Sequence, residues 1–313
     1  MNRMATERFP LLALNGEGEG KRALITGLRG FTGHYLAQEL SAAGYRVFGT
    51  ALPGEAVGPD IFTVDMCDRD AVAAMVEQVQ PDVVAHLAGI AFVAHANTEL
   101  IYRVNILGAR NLLEALAAQR HQPSAVLLAS SANIYGNTGV AVIDENVAPA
   151  PANDYAVSKL AMENMSRLWA DKLPIIIARP FNYTGVGQTD NFLLPKIVSH
   201  FRKGAADIEL GNLAIARDFS DVRTVAASYR RLLHVAPAGQ AFNVCTGQAH
   251  SLASVLGVMA SIAGYDIDVR VNPAFVRPND VLTLVGCNDK LTSVIGEVPP
   301  TPLAETLRWM YLA

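Results

Sequence analysis

The sequence predicts an α/β chain: a doubly wound parallel sheet covered by helices, with a smaller α/β lobe beside it. Two observations predict this. From Arg22 to Ala178, short apolar runs alternate with segments of helical period, as right-handed β-α-β units do when a sheet is covered on both faces. Beyond Arg179 the texture changes, and Pro180, Gly185, Gly187, Pro195, Gly204 and Gly211 break the chain into shorter pieces.

The elements follow in order. Residues 1–20 read as a flexible N-terminal extension, because Gly16, Gly18 and Gly20 alternate with Glu17 and Glu19 after a short apolar patch at Phe9–Leu14. Arg22–Thr26 is the first strand, and Thr32–Ala43 is a helix with Tyr35, Leu36 and Leu40 on one face. Tyr45–Gly49 and Ile61–Val64 are strands, Arg69–Val79 is a helix, and Pro81 leads into the strand Val83–Leu87. Glu99–Ala118 reads as one long helix, with Leu100, Val104, Leu107 and Leu112 recurring. Ala125–Ala129 is a strand, Asp154–Ala170 a helix and Pro174–Ala178 a strand. Ala241–Val244 returns to the sheet, Ser251–Ala263 is helical, and Pro273, Pro278, Pro299, Pro300 and Pro302 mark loops. The expected division is 1–20 as extension, 21–181 with 219–249 as the larger domain, and 182–218 with 250–313 as the substrate lobe.

Composition narrows the function classes. With 313 residues, 51% hydrophobic and 17% charged, the chain can bury a large core. The net charge of -4 gives no electrostatic case for nucleic acid or an anionic membrane as partner. Cys67, Cys245 and Cys287 are odd in number and far apart, so neither a disulfide framework nor a zinc site is expected. No apolar run is long enough to span a bilayer, and a cytoplasmic location is expected.

The first strand runs into Thr26-Gly27-Leu28-Arg29-Gly30-Phe31-Thr32-Gly33. In a strand–turn–helix setting this is a Rossmann-type phosphate loop. Gly27 permits the tight turn, Gly30 lets a pyrophosphate approach the backbone, and Gly33 lets helix and strand pack closely. Free N–H groups at the helix start, around Phe31 and Thr32, then face the phosphates. The second strand ends in Gly49-Thr50-Ala51-Leu52, without the acid that binds an NAD ribose. Arg29 lies where a guanidinium reaches a 2′-phosphate, so NADP(H) is favoured and NAD(H) stays open. Asp65, with Met66 beside it, is placed to touch the adenine, and Leu87, Ala88 and Gly89 let the cofactor lie on backbone.

Tyr155 and Lys159 stand at i and i+4 of a helix, on one face. A phenol titrates near about 10. An ammonium one turn away is expected to lower that value and to hold the nicotinamide ribose. Ser130-Ser131-Ala132-Asn133 follows the fifth strand at the carboxyl edge of the sheet, and Ser131 can bond a substrate oxygen.

These motifs, with His86-Leu87-Ala88-Gly89, Asn105 and Arg179-Pro180-Phe181-Asn182, resemble the extended short-chain dehydrogenase/reductase family over nearly all of the chain after residue 20. The resemblance implies a catalytic group of Ser131, Tyr155 and Lys159, with Asn105 supporting the lysine. It implies a nucleotide-diphosphate sugar as substrate, with Asn182, Arg217 and Arg277 at the diphosphate and Asn133 nearby. Arg217-Asp218-Phe219-Ser220-Asp221-Val222 is similar to a stretch of nucleotide-sugar enzymes, and Arg277-Pro278-Asn279-Asp280-Val281 to one of GDP-6-deoxy-4-ketohexose reductases, which brings in Asp280. Phe92 and Val93 are expected to pack against the sugar's C6 methyl. The family's dehydratases carry an acid just after the serine that matches Ser131, whereas this chain has Ala132 and Asn133.

What remains is an NADP(H)-dependent reductase of a C4 ketone on a 6-deoxyhexose, with GDP favoured as the nucleotide. An NAD-dependent nucleotide-sugar 4-epimerase is the alternative. A non-catalytic nucleotide sensor on the same fold is a third reading, against which Ser131, Tyr155 and Lys159 argue. By family analogy, helices near 99–118 and 154–170 are expected to pair two copies into a homodimer.

Overall fold

The structure, a computed structural model, describes residues 16–52, 54–55, 58–91, 97–213, 215–276 and 283–313. The first six strands are β1 (Arg22–Thr26), β2 (Arg46–Ala51), β3 (Ile61–Thr63), β4 (Val83–His86), β5 (Ala125–Ala129) and β6 (Ile175–Pro180). The helices among them are α1 (Phe31–Ala42), α2 (Arg69–Val79), α3 (Thr98–Tyr102), α4 (Ala109–Ala117) and α5 (Asp154–Ser166). Next come β7 (Asn182–Thr184), α6 (Leu193–Arg202), β8 (Asp207–Leu210), β9 (Ala216–Asp221), α7 (Val222–Val235) and β10 (Gln240–Val244). The chain ends with β11 (Ala249–Ser251), α8 (Leu252–Ala263), β12 (Asp268–Val271), β13 (Thr283–Leu284), α9 (Asp289–Ile295) and α10 (Leu303–Leu312).

Seven strands form one parallel sheet in the order β10-β6-β5-β4-β1-β2-β3. The period of two along each strand sends side chains to opposite faces. In β1, Ala23 and Ile25 face a core with Leu36 and Leu40 of α1 and Val225, Tyr229 and Leu232 of α7. Leu24 faces a second core with Val72 and Val76 of α2, Leu112 of α4 and Met162 of α5. The order reverses between β1 and β4, which opens a crevice above their carboxyl ends.

The remaining strands build the smaller lobe. β9 pairs with β7, β11 and β13, while β8 pairs with β12. Ile197 and Phe201 of α6, Val255 and Met259 of α8 and Leu307 of α10 form its core. Helices α6 and α7 were not expected from the sequence. In α7 the apolar positions Val225, Tyr229 and Leu232 recur at helical spacing behind an Asp221 cap, and that signal was readable.

Two expectations are corrected. The segment around Asn105 is not one regular helix, because a π-helical turn at Arg103–Gly108 separates α3 from α4. The wider turn lets Asn105 reach the backbone of Ile90 while Gly108 packs on Met66. Residues 16–20 are not a loose lead-in either. Glu17 is buried and accepts a 2.6 Å bond from the buried Arg230 of α7, which also bonds Glu39 of α1 at 3.1 Å. A side chain on Gly18 would run into the Tyr45 ring.

Among the described residues no helix is long and apolar enough to cross a membrane, and no group of three His, Cys, Asp or Glu could hold a metal ion. Removing one partner of a buried ion pair leaves the other charge poorly paired. Arg230 keeps Glu39, so Glu17→Ala is expected to cost about 3 kcal/mol, the lower end of such losses. The cost shows as a lowered Tm; an unchanged Tm would mean that the turn contributes nothing.

Candidate active site

The loop after β1 is held by close backbone contact. Gly27 has φ +73°, and a Cβ there would lie 2.9 Å from the Ala88 nitrogen in the loop after β4. A Cβ on Gly33 would overlap the Gly27 carbonyl and Leu28. Gly30 donates its N–H to the Gly27 carbonyl at 2.9 Å and caps α1. Thr50 at the end of β2 takes the Gly27 N–H on its hydroxyl at 2.9 Å and the Leu28 N–H on its carbonyl at 3.1 Å. Helix α1 has no side-chain cap and no acid in its first turn, so its positive end suits an anion. Arg29 is exposed in this loop. The residues present therefore fit a dinucleotide's pyrophosphate: Gly27 and Gly33 let the loop pack backbone to backbone, and Gly30 leaves the uncapped start of α1 uncovered.

The floor of the crevice comes from β4 and its loop. Buried His86 bonds through Nδ1 to the Thr26 hydroxyl at 2.7 Å, and that hydroxyl also accepts the Ala88 N–H at 3.2 Å. Burial and the nearby Lys159 charge push His86 down to about 3, so it stays neutral. Leu87 and Ala88 are half-buried, and Gly89 is exposed. A Cβ on Gly89 would come within 2.9 Å of Asn105 Oδ1 and 3.3 Å of Lys159 Nζ. Asp65 is exposed and accepts the Cys67 N–H at 2.9 Å, and buried Met66 accepts from Asn111 Nδ2 at 3.0 Å.

Helix α5 starts at Asn153, whose side chain accepts the Ala156 N–H at 2.9 Å. That start places Tyr155, Lys159 and Glu163 on one face. Tyr155 is 8% and Lys159 6% exposed, so both side chains are buried. Ser131 lies beside the Tyr155 phenol, and its hydroxyl accepts from the N–H and Nδ2 of Asn133 at 3.2 and 3.1 Å. Lys159 donates to the Ala129 carbonyl at 2.8 Å. Asn105 accepts the Ile90 N–H at 2.8 Å and donates to the Ile90 carbonyl at 3.2 Å and the Ser158 hydroxyl at 3.0 Å.

The electrostatics differ from the sequence expectation. Burial pushes the Tyr155 phenol up to about 12, with Ser131 the main opposing contact and no contribution from Lys159. Burial also pushes Lys159 down to about 8, against the pull of Glu163. The ammonium points to a carbonyl rather than the phenol, so its charge does not offset the burial of Tyr155. Tyr155 is therefore a protonated donor at neutral pH, and Lys159 is a cation close to its titration point.

The expected substrate residues are more scattered. Asn182 is exposed on β7, Asn133 is half-buried beside Ser131, and Arg217 is half-buried on β9, donating to the Ala216 carbonyl at 3.0 Å. Phe92, Val93, Arg277 and Asp280 lie outside the described residues.

The sequence reading missed Tyr183, whose hydroxyl bonds Thr32 of α1 at 2.7 Å and whose ring stacks on Phe31. It also missed Glu163, which is ion-paired to Arg179 in the core. The available signal was spacing: Glu163 lies four residues beyond Lys159, among small and apolar neighbours.

Comparison with known proteins gives consistent matches. The sequence matches the family described as GDP-mannose 4,6 dehydratase over residues 24–310. It is 33% identical to the GDP-6-deoxy-D-talose 4-dehydrogenase of Aggregatibacter actinomycetemcomitans over 278 residues, 88% of this chain and 91% of that protein. It is 33% identical to the GDP-6-deoxy-D-mannose reductase of Pseudomonas aeruginosa over 299 residues, 92% of this chain and 95% of that protein. Among solved structures, a candidate epimerase from Burkholderia cenocepacia J2315 has a TM-score of 0.89 at 55% identity, covering 94% of this chain and 97% of that one. The RMD protein of Pseudomonas aeruginosa complexed with NADPH has a TM-score of 0.81 at 30% identity, covering 93% and 98%.

The glycine loop generates a direct test. Gly33→Ala puts a methyl group into backbone that cannot yield, so NADPH affinity, read by fluorescence titration, is expected to fall by more than about tenfold. Wild-type affinity would dissociate that loop from cofactor binding.

Proposed function

The chain belongs to the GDP-mannose 4,6-dehydratase-like family of extended short-chain dehydrogenases/reductases, and from that premise we propose that it reduces the C4 ketone of GDP-4-keto-6-deoxy-D-mannose with NADPH. The product is GDP-D-rhamnose or its C4 epimer, GDP-6-deoxy-D-talose. As an NAD(P)-dependent oxidoreductase, the protein needs a proton donor beside the hydride path. The observation that carries the reading is the buried Tyr155 with Lys159 four residues on along the same face of α5, and Ser131 beside the phenol.

Held along the glycine loop, NADPH would supply a hydride to C4 and become NADP+. Ser131 orients the ketone oxygen, and Tyr155 gives its phenolic proton to that oxygen as charge builds there. Lys159, a cation at neutral pH, would hold the nicotinamide ribose beside them. Ala132 and Asn133 follow Ser131, and neither carries a proton for the elimination of water, which supports reduction over dehydration.

Exposed Arg29 and the lack of an acid at the end of β2 support NADP(H), as does the NADPH bound to the Pseudomonas aeruginosa relative. The two names at 33% identity support GDP as the nucleotide. Leu100, Leu107 and Val157 are exposed on the α3–α4 and α5 segments, which supports pairing of two copies there. A second reading, a 4-epimerase with resident NAD, is favoured by the 55% identity to a candidate epimerase.

Three outcomes follow. Incubation with NADPH and a panel of 4-keto-6-deoxy sugar nucleotides, with products read by NMR, is expected to consume the GDP sugar; no turnover, together with NAD released on denaturation, would favour the epimerase. Tyr155→Phe is expected to lower kcat by about 10²–10⁴-fold while NADPH affinity changes little. Reduction requires protonated Tyr155 and cationic Lys159, so kcat/KM is expected to fall as pH rises past about 8, where Lys159 loses its proton. A profile flat to pH 10 would remove Lys159 from that role.

A further inference from the structure

One carboxylate ties together the elements that carry the site. Glu163, 4% exposed, sits on α5 one turn beyond Lys159. Its Oε1 accepts the Ser130 hydroxyl proton at 2.5 Å and Arg179 Nε at 3.0 Å, and its Oε2 accepts Arg179 Nη2 at 2.7 Å. Ser130 is the neighbour of Ser131, and Arg179 on β6 leads through Pro180 and Phe181 to Asn182. Arg179 Nη1 donates to the Tyr135 hydroxyl at 2.9 Å, and that hydroxyl donates to Asn243 Oδ1 at 2.8 Å.

We propose that Glu163 is a positioning residue for the Ser131–Tyr155–Lys159 group, holding helix α5 in register with the ends of β5 and β6 and keeping Lys159 a cation. The inference rests on the reading of those three residues as the reacting group. Packing alone does not explain this carboxylate, because a buried ion pair is often replaced by apolar residues of similar volume without loss of stability. Its placement does. Residues four apart on a helix have Cβ atoms about 6 Å from each other, so the Glu163 carboxylate favours the lysine's charged form across one turn without an ion pair between them. Among the described residues the charged and titratable groups near the lysine include Tyr155 and Glu163 on its own helix, His86 from β4, Tyr183 from β7 near Tyr155, and Arg179 bound to Glu163. His86 is neutral, and Arg179, bound to the same carboxylate, offsets part of its pull on Lys159. Burial drives Lys159 towards losing its proton, and Glu163 opposes that drive.

Glu163→Gln keeps the shape and most hydrogen bonds but leaves Arg179 uncompensated one layer from Lys159. The alkaline limb of kcat/KM for NADPH-dependent reduction is expected to move down by about one pH unit, with activity at pH 6 within about threefold of wild type. A purely structural role would lower Tm and leave the limb where it is, and that result overturns the proposal. Should Glu163→Gln fail to fold, Glu163→Leu combined with Arg179→Met leaves no buried charge unpaired. Its limb must also sit below wild type, because the attraction on Lys159 is gone, and a wild-type profile there overturns the proposal as well. NADPH binding against pH, read by fluorescence without any sugar, separates this from the proposed reaction. If no sugar is reduced by any form, that reaction falls, while a lowered pH midpoint for NADPH binding in Glu163→Gln still supports the role of Glu163 and an unmoved midpoint overturns it.

Discussion

Backbone must touch backbone where β1 and β4 part, and the rest of the molecule is arranged around that contact. Gly27 lies against Ala88, and Gly33 against Gly27 and Leu28, at distances that no side chain tolerates. The contact lets α1 point its bare N-terminus into the crevice and draws the β4 loop down to Asn105 and Lys159. Thr26 and His86 lock the two strand ends together beneath it, and His86 serves because it stays neutral in this setting. A charged group there would face Lys159 with no screening water, a cost of several kcal/mol.

The crevice works by desolvation as much as by charge. Burial raises the Tyr155 phenol and lowers the Lys159 ammonium, so the two move towards opposite protonation preferences. The phenol thus stays protonated at neutral pH, with the lysine still a cation one turn along the helix. The π-helical turn at Asn105 serves the same economy of contacts. It satisfies both polar groups of Ile90 while leaving the asparagine beside the lysine.

The smaller lobe is fastened by buried acids rather than by ligand residues alone. Asp218 accepts from Thr246 Oγ1, Thr246 N–H and Gly247 N–H at 2.7, 2.9 and 2.8 Å, which joins β9 to the chain after β10. Asp221 pairs with Arg223 and accepts from Thr306 of α10, while the Arg223 guanidinium lies 4.0 Å from the centre of the Trp309 ring. Arg217, beside Asp218, is thereby set on a strand that cannot slide. Tyr183 connects this lobe to the phosphate loop through Thr32, so the two halves of the site share a hydrogen bond.

What the sequence determined by itself is whatever depends on local spacing. The glycine loop, the alternation of strands and helices, and the i, i+4 pairing of Tyr155 with Lys159 are short-range facts, since helix period and turn sterics act within a few residues. Tertiary structure alone decided the groups that meet from afar. Glu17 finds Arg230 across 213 residues, and Glu163 finds Arg179 across two elements. Those meetings carry no periodic signature, because a buried charge is identified by the partner that neutralises it and not by its neighbours in the chain. The direction of the Tyr155 shift belongs to the same class. Spacing placed a cation one turn away, but only the packed structure showed that it points to a carbonyl and does not offset the burial of the phenol.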